Sequence, residues 1–234
     1  MTRISSLGLL LLAATFLVAE NTPSWKTKPV EQWDNEDAKL ILADSPWVGR
    51  AALQPLRDRS PAERRDSGDW DTAVGGGIGL AALLEIFSGG GTMTEAIERA
   101  HFKPSPGKVE IRWESAMPVR AAESKLSQTS ASPLHTGWYA ITLYDVPHPE
   151  QHWGPGKLRG LAYFKRANKP DFKPSRVEIV QHEDGKATVT YLFSRAEEIT
   201  RRDGGVYFVA QIDRLFIAQI FYPATMLIAG ELEL

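Results

Sequence analysis

The residues with the clearest capacity for chemistry form a short run of imidazole and carboxylate side chains in a proline-rich stretch. His148, Glu150 and His152 alternate there, and Asp145 comes just before them. Imidazole nitrogens and carboxylate oxygens are ligands that zinc and similar ions accept. The spacing differs from the zincin pattern H-E-x-x-H, whose two histidines lie one helical turn apart. We therefore expect metal-free loop histidines, and keep a metal-assisted hydrolase built on these residues as the alternative.

A second polar group lies further towards the N-terminus, where Glu110 and Glu114 flank Arg112. Two carboxylates could act as the acid and the base of a glycosidase. Side chains two apart on a strand share one face, however, so a solvent-exposed face held by ion pairs to Arg112 is the simpler interpretation. We predict no catalytic residue in this group.

Motifs for nucleophiles and nucleotides do not match. The chain contains no G-x-S-x-G elbow, and Ser124 and Lys125 are adjacent where an S-x-x-K motif needs them three apart. Glycines bracket the apolar run 80–87, but their spacing is neither that of a P-loop nor that of a dinucleotide-binding turn. We predict no cofactor. The run is too short to span a membrane, and either docks on the core or meets a partner or lipid surface.

Tryptophan is abundant, with seven residues in the chain. Trp25, Trp70, Trp138 and Trp153 fall in predicted loops or at the ends of predicted elements. An exposed tryptophan can stack on a sugar or anchor a protein interface. The interpretation that we favour is that each ring instead fills a small apolar cluster beneath a loop.

The group of Glu110, Arg112 and Glu114 lies within residues 108–126, where the spacing of apolar residues changes from that of a strand to that of a helix. Apolar and charged residues first alternate, which predicts a half-buried strand. Pro118 then removes a backbone donor and suits the first turn of a helix. The apolar residues of the predicted strand are Val109, Ile111 and Trp113, and those of the predicted helix are Val119, Ala122 and Leu126.

Other elements follow from local signals. Asp34 or Asn35 can cap a helix with an acidic first turn, and residues 157–166 read as a basic helix. In the C-terminal third, an Asp-Gly pair at 184–185 predicts a hairpin turn.

Residues 206–212 and 215–222 predict a second hairpin, followed by a last strand over 227–234. Strands joined by short turns must be antiparallel. We expect an α+β fold with a mostly antiparallel sheet, a few helices on one face and a C-terminal meander.

Composition bounds the class of protein. The chain has 234 residues, of which 43% are hydrophobic and 24% are charged, and its formal net charge is -2. This is the balance of a globular protein, without the clustered basic charge of a nucleic-acid binder. The absence of cysteine excludes disulfides and thiolate metal sites.

The N-terminal residues 1–19 resemble an export signal, with Arg3 followed by an apolar run. Cleavage after Ala19 is favoured, while the size of Leu17 leaves an uncleaved anchor as the alternative. We predict a linker over 20–30 and a single domain over 31–234, with a Gly-rich and charged insertion at about 54–107.

The block 112–121, RWESAMPVRA, resembles a segment that recurs in exported bacterial proteins to which no activity is assigned. The resemblance includes an acidic helix leading to a Ser-Pro-Trp element and a final short Leu-Glu-Leu strand. It implies export and transfers no catalytic or binding residue. The corresponding residues here are Glu36, Asp37, Ser45, Pro46, Trp47 and 232–234.

Together these observations predict an exported, periplasmic or extracellular protein that acts as a non-enzymatic binding domain of the cell envelope. Its expected partner is an envelope protein or glycan, reached through loop aromatic residues. We expect no nucleic acid, and membrane contact only through an uncleaved N-terminus or the 80–87 segment.

Overall fold

A computed structural model describes residues 22–55, 107–127, 137–147, 154–213 and 215–234. The described residues form an α+β fold that is mostly antiparallel sheet, which confirms the predicted fold class. The predicted insertion at 54–107 lies outside the described residues apart from its first two residues and its last one.

Three α-helices are present among the described residues: α1 (Asn35–Ala43), α2 (Met117–Ser127) and α3 (Pro155–Gly160). The predicted cap of α1 is confirmed, because the Asp34 side chain accepts hydrogen bonds from the backbone N–H groups of Glu36 and Asp37. The Asp37 side chain in turn accepts from the Asp34 backbone N–H, which completes a capping box. The helix therefore begins where its sequence signal places it.

Two five-stranded antiparallel sheets make up the body of the domain. Sheet A has the strand order β1-β3-β4-β8-β7, and sheet B has the order β2-β10-β9-β5-β6. A small hairpin pairs β11 with β12. The strands are β1 (Val48–Ala52), β2 (Gln54–Pro55), β3 (Lys108–Trp113), β4 (Trp138–Pro147), β5 (Ala162–Arg166), β6 (Lys169–Phe172), β7 (Arg176–Gln181), β8 (Lys186–Ser194), β9 (Val206–Ile212), β10 (Leu215–Phe221), β11 (Leu227–Ile228) and β12 (Glu231–Leu232).

The two sheets pack face to face around aromatic side chains. Trp113 of sheet A stacks on Phe164 of sheet B with ring centroids 5.3 Å apart, and meets Phe221 edge-on at 5.1 Å. Phe193 of sheet A lies 4.2 Å from Phe164. Because residues of both sheets share one continuous cluster, the sandwich has a single hydrophobic core.

Both predicted hairpins are confirmed. The turn between β7 and β8 uses Gly185 at a φ of 76°, which a residue without Cβ adopts readily. Strands β9 and β10 pair in register from Ile212 opposite Leu215 to Val206 opposite Phe221. The C-terminal meander therefore follows from local pattern.

Two predicted elements are wrong in extent. The basic helix expected over 157–166 ends at Gly160, and strand β5 replaces its second half. Tyr163 and Phe164 are buried there because they pair with Val209 and Phe208 of β9. Burial beside a neighbouring strand thus overrides the local helical pattern.

The last strand, expected over 227–234, is also shorter than predicted. It is divided into β11 and β12, because Ala229 and Gly230 adopt φ values of 48° and 84° and turn the chain back.

The segment predicted as a linker, residues 20–30, contributes a core side chain. A 3-10 turn at Ser24–Lys26 places Trp25 in the core with 1% of its surface exposed. Its ring meets Trp47 edge-on at 5.7 Å. The indole Nε1 of Trp33 donates a hydrogen bond of 3.1 Å to the Trp25 carbonyl oxygen. These contacts join the segment before α1 to the folded body.

Candidate functional site

The site is built where strand β3 ends and helix α2 begins. Alternation along β3 directs Val109, Ile111 and Trp113 into the core, so Glu110 and Arg112 lie on the opposite face of sheet A. Glu114 follows in the turn before α2. The backbone N–H of Glu114 donates to the Ala140 carbonyl oxygen of β4 at 2.8 Å, which fixes the turn against the sheet.

Two further elements bring side chains to the same place. In the β3–β4 register Tyr144 lies directly opposite Glu110. Glu123, on the second turn of α2 after Pro118, reaches Arg112 and Tyr144. We call the five residues Glu110, Arg112, Glu114, Glu123 and Tyr144 the carboxyl cluster. All five are half-buried.

Arg112 holds two of the three carboxylates. Its Nη2 lies 2.6 Å from Glu110 Oε1, and its Nη1 lies 2.9 Å from Glu123 Oε1. The guanidinium carbon is 4.5 Å from the centroid of the Tyr144 ring, a cation–π contact. The arginine therefore ties β3 to both β4 and α2.

Glu114 is held differently. The phenol of Tyr144 donates a hydrogen bond of 2.8 Å to Glu114 Oε2. The phenol oxygen of Tyr144 also lies 3.4 Å from Glu123 Oε1. No ion pair between described residues includes Glu114. A phenol has one proton, so Tyr144 can donate to only one of the two carboxyl groups at a time.

These surroundings favour the neutral form of Glu114. Burial raises its pKa to about 8, and the hydrogen bond and the charge of Glu123 act in the same direction. Glu114 therefore carries a proton at neutral pH and can donate it in a hydrogen bond to Glu123. Burial, followed by the charge of Glu114, also raises the pKa of Tyr144 well above its ordinary value, so the phenol stays protonated.

The cluster thus combines an uncharged carboxylic acid, two carboxylates, a phenol and a guanidinium. It can donate and accept hydrogen bonds within one small area, and Glu114 can supply a proton. In the part of the chain that the structure describes, no group of three histidine, aspartate or glutamate side chains is placed to hold a metal ion.

The sequence-based interpretation of this region was correct for one ion pair and wrong for Glu114. Arg112 and Glu110 are paired as expected. Glu114, expected on an ion-paired solvent face, is instead a half-buried neutral acid. Glu123 and Tyr144 were not singled out, and the one available signal was the alternation of β4, which places Tyr144 on the polar face with Thr142.

The other candidate residues named from the sequence are Asp145, His148, Glu150 and His152. His148, Glu150 and His152 lie outside the described residues, so the metal-assisted hydrolase stays a prediction that elemental analysis of the purified protein can test. Asp145 is exposed and lies 3.4 Å from Lys186 Nζ.

Two of the four tryptophans considered for binding are among the described residues. Trp25 is buried in the core, which confirms for this ring the interpretation as a packed side chain. Trp138, at the start of β4, is half-buried. Trp70, Trp153 and the apolar run 80–87 lie outside the described residues.

Among the described helices, none combines the length and the apolar character needed to cross a membrane. No protein-family model matches the chain, and no curated protein or solved structure matches it either.

Proposed function

We propose that this chain is an exported binding domain of the cell envelope, and that a polar group of an envelope glycan or protein binds at the carboxyl cluster. The observation that carries the proposal is the convergence of five polar side chains, from β3, β4, α2 and the turn between β3 and α2, in one half-buried cluster.

The space between the two sheets is filled by aromatic side chains, which favours a ligand site on an outer face. Trp113, Tyr191, Phe164 and Phe208 are fully buried between the sheets. Tyr191 and Phe208 pack edge-on with centroids 5.3 Å apart. Rings packed at this density occupy the space that a ligand between the sheets would need. A ligand is therefore expected on an outer face, where the carboxyl cluster lies.

The net charge of the carboxyl cluster indicates which ligands it favours. With Glu114 neutral, the carboxylates of Glu110 and Glu123 face the single positive charge of Arg112, which leaves one negative charge. Such a group favours a ligand that brings hydroxyl donors or an ammonium group. Amino sugars and lysine side chains both meet this requirement, so a glycan and a protein segment remain the two partners to compare.

Export is supported by residues 1–19 and by the resemblance of the 112–121 block to exported proteins. The expected result is that the protein is recovered from the envelope or medium with its N-terminus at Glu20. Mass spectrometry of the natural protein measures this directly. Recovery in the cytoplasm with residues 1–19 intact would contradict export.

The binding test compares single carboxamide variants that keep side-chain size. Glu110→Gln and Glu123→Gln remove the two paired carboxylates. Glu178→Gln is the matched control, because Glu178 pairs with Arg176 on β7, an edge strand of sheet A that β8 separates from β4. Calorimetric titration with soluble amino-sugar oligomers and with a lysine-rich peptide measures the affinity of each.

We expect the binding of one of these probes to weaken about tenfold or more in the two cluster variants, because a charge-assisted hydrogen bond is worth roughly 1.5–3 kcal/mol. The control should bind like the natural protein. Equal affinity of all three variants would refute a site at the cluster, and so would the absence of binding to either probe.

A second candidate function follows from the raised pKa of Glu114. A carboxylic acid that keeps its proton at neutral pH is suited to act as a general acid in hydrolysis. Glu114→Gln would then abolish the hydrolysis of a chromogenic glycoside or ester panel, whereas Glu178→Gln would not. Equal rates for both variants would remove this candidate.

A further inference from the structure

The outer face of sheet B carries a largely exposed aromatic side chain at the end of β10. Alternation along this strand directs Ile217 and Phe221 into the core. Tyr222 follows with an extended backbone, at a φ of -112° and a ψ of 97°, so its side chain lies on the opposite face. It is 54% exposed. A tyrosine in this position offers a ligand both an apolar ring and a hydroxyl group.

A second tyrosine lies on the neighbouring strand of the same face. Tyr207 of β9 pairs with Ile220 of β10, which makes it the diagonal neighbour of Tyr222. The Tyr207 ring packs close to Gly205, where a Cβ would lie 3.5 Å from its Cζ atom. Burial, followed by the charge of Tyr222, raises the pKa of Tyr207 above its ordinary value, so the two phenols are within electrostatic range of each other. We call Tyr207, Ile220 and Tyr222 the tyrosine platform.

A lysine flanks the tyrosine platform. Lys165 of β5 lies directly opposite Tyr207 in the β5–β9 register and shares its face of the sheet. Lys165 is half-buried, and no ion pair between described residues includes it. Asp171, on the neighbouring strand β6, is not within ion-pair distance of it. In the turn before β9, Asp203 is already paired with Lys169. The ammonium group of Lys165 is therefore available to an anion.

We propose that the tyrosine platform and Lys165 bind an acidic sugar, a uronic acid unit of a polysaccharide, with the sugar ring against Tyr222 and the carboxylate paired with Lys165. The C–H groups on one face of a sugar ring suit an aromatic surface, and the sugar hydroxyls suit the phenols. The carboxylate meets the charge of Lys165. A neutral sugar lacks the carboxylate, and an acidic peptide lacks the ring face.

This site is separate from the carboxyl cluster. The tyrosine platform lies on the outer face of sheet B, whereas the carboxyl cluster lies on the outer face of sheet A. The two sites also prefer opposite charges, because one presents an unpaired ammonium group and the other a net negative charge. Binding at the tyrosine platform therefore does not depend on the proposed function of the carboxyl cluster.

Calorimetric titration of the full chain with a galacturonic acid tetramer tests the site. The comparison probes are a galactose tetramer, which has the ring without the charge, and an end-blocked aspartate tetrapeptide, which has the charge without the ring. We expect the acidic sugar to bind about tenfold more tightly than either comparison probe, because only it can use both contacts. Its affinity should fall as the salt concentration rises.

Two variants remove one contact each. Tyr222→Ala removes the ring and Lys165→Met removes the charge, and each should weaken binding of the acidic tetramer about tenfold. Tyr222→Phe and Lys165→Arg keep the ring and the charge, and should bind within about threefold of the natural protein. Lys125→Met, at an exposed position of α2, is the control for the loss of a lysine and should bind like the natural protein.

Three outcomes would overturn the proposal: no binding of the acidic tetramer, equal affinity for it and for either comparison probe, or unchanged affinity in Tyr222→Ala and Lys165→Met. If either variant does not fold, the probe comparison and the salt dependence in the natural protein decide the question. Glu110→Gln should leave this binding unchanged, and a loss of binding in that variant would place the sugar at the carboxyl cluster and overturn the assignment to sheet B.

Discussion

The centre of the core is tested by replacing Trp113. This ring is fully buried and lies within 5.8 Å of three other aromatic rings, those of Tyr139, Phe164 and Phe221. Trp113→Ala leaves a cavity between two sheets whose backbones are fixed by hydrogen bonds, so little collapse can fill it. The expected loss in the free energy of unfolding is about 3–5 kcal/mol. For a domain of ordinary stability this is a large fraction of the total.

Trp113→Phe should cost much less. The indole Nε1 of Trp113 donates no hydrogen bond to a described residue, so removing it breaks none there. A phenyl ring keeps much of the apolar contact, and the expected loss is about 1–2 kcal/mol from the smaller ring. The ordering of the two variants therefore separates lost volume from lost hydrogen bonding.

Urea unfolding followed by far-UV circular dichroism measures both variants, since fluorescence would change with the indole itself. Trp138→Ala is the matched control, because Trp138 is half-buried at the start of β4 and should lose less than half as much stability as Trp113→Ala. If Trp113→Ala lost no more stability than this control, the assignment of Trp113 to the centre of the core would be refuted.

Two further predictions concern the segment before α1 and the contact between β1 of sheet A and β10 of sheet B. Asp37→Ala should lower the free energy of unfolding at neutral pH by about 1–3 kcal/mol, because its carboxylate accepts from Lys28 and Ser24. Those hydrogen bonds lower the pKa of Asp37 to about 2, so its contribution is present above the ordinary value and is lost as pH falls towards 2. Chemical unfolding between pH 7 and pH 2.5 should show a larger loss of stability in the natural protein than in Asp37→Ala, in which the lowered pKa values of Asp34 and Asp203 still cause a loss. Gly49→Ala places a Cβ against the amide end of the Gln219 side chain. That end is flexible and can move away with the loss of its hydrogen bond to the Ile220 carbonyl oxygen, so the expected destabilisation is about 1 kcal/mol. The double variant with Gln219→Ala should lose no more stability than Gln219→Ala alone, and an additive loss would contradict the contact.

Local sequence patterns were sufficient to predict the structure wherever the determining interactions lie within a single strand, helix cap or turn. The alternation of charged and apolar residues in β3 places Trp113 inward, and Asp34 starts α1 by accepting two backbone N–H groups. The Asp-Gly pair at 184–185 closes the β7–β8 hairpin. In each case the determining interactions lie within a few residues, so the sequence carries the information directly.

The carboxyl cluster could be predicted only in part. The sequence places Glu110 and Arg112 on one face of a strand, and this pair is present. Nothing local shows that Tyr144 lies opposite Glu110, because that depends on the β3–β4 register across residues far apart in the chain. The protonation of Glu114 also depends on the tertiary structure. Its burial and its proximity to Glu123 arise only after α2 packs against the sheet.

The sequence by itself therefore determined the strand and helix signals, the antiparallel pairing of the C-terminal hairpins and the cysteine-free composition. Only the tertiary structure decided that the strands divide into two packed sheets, that Trp25 is a core residue and that 162–166 is a strand. The physical reason is the range of the interactions. Turns, caps and alternation act between near neighbours, whereas burial, strand register and the protonation of Glu114 depend on side chains that meet only in the folded chain.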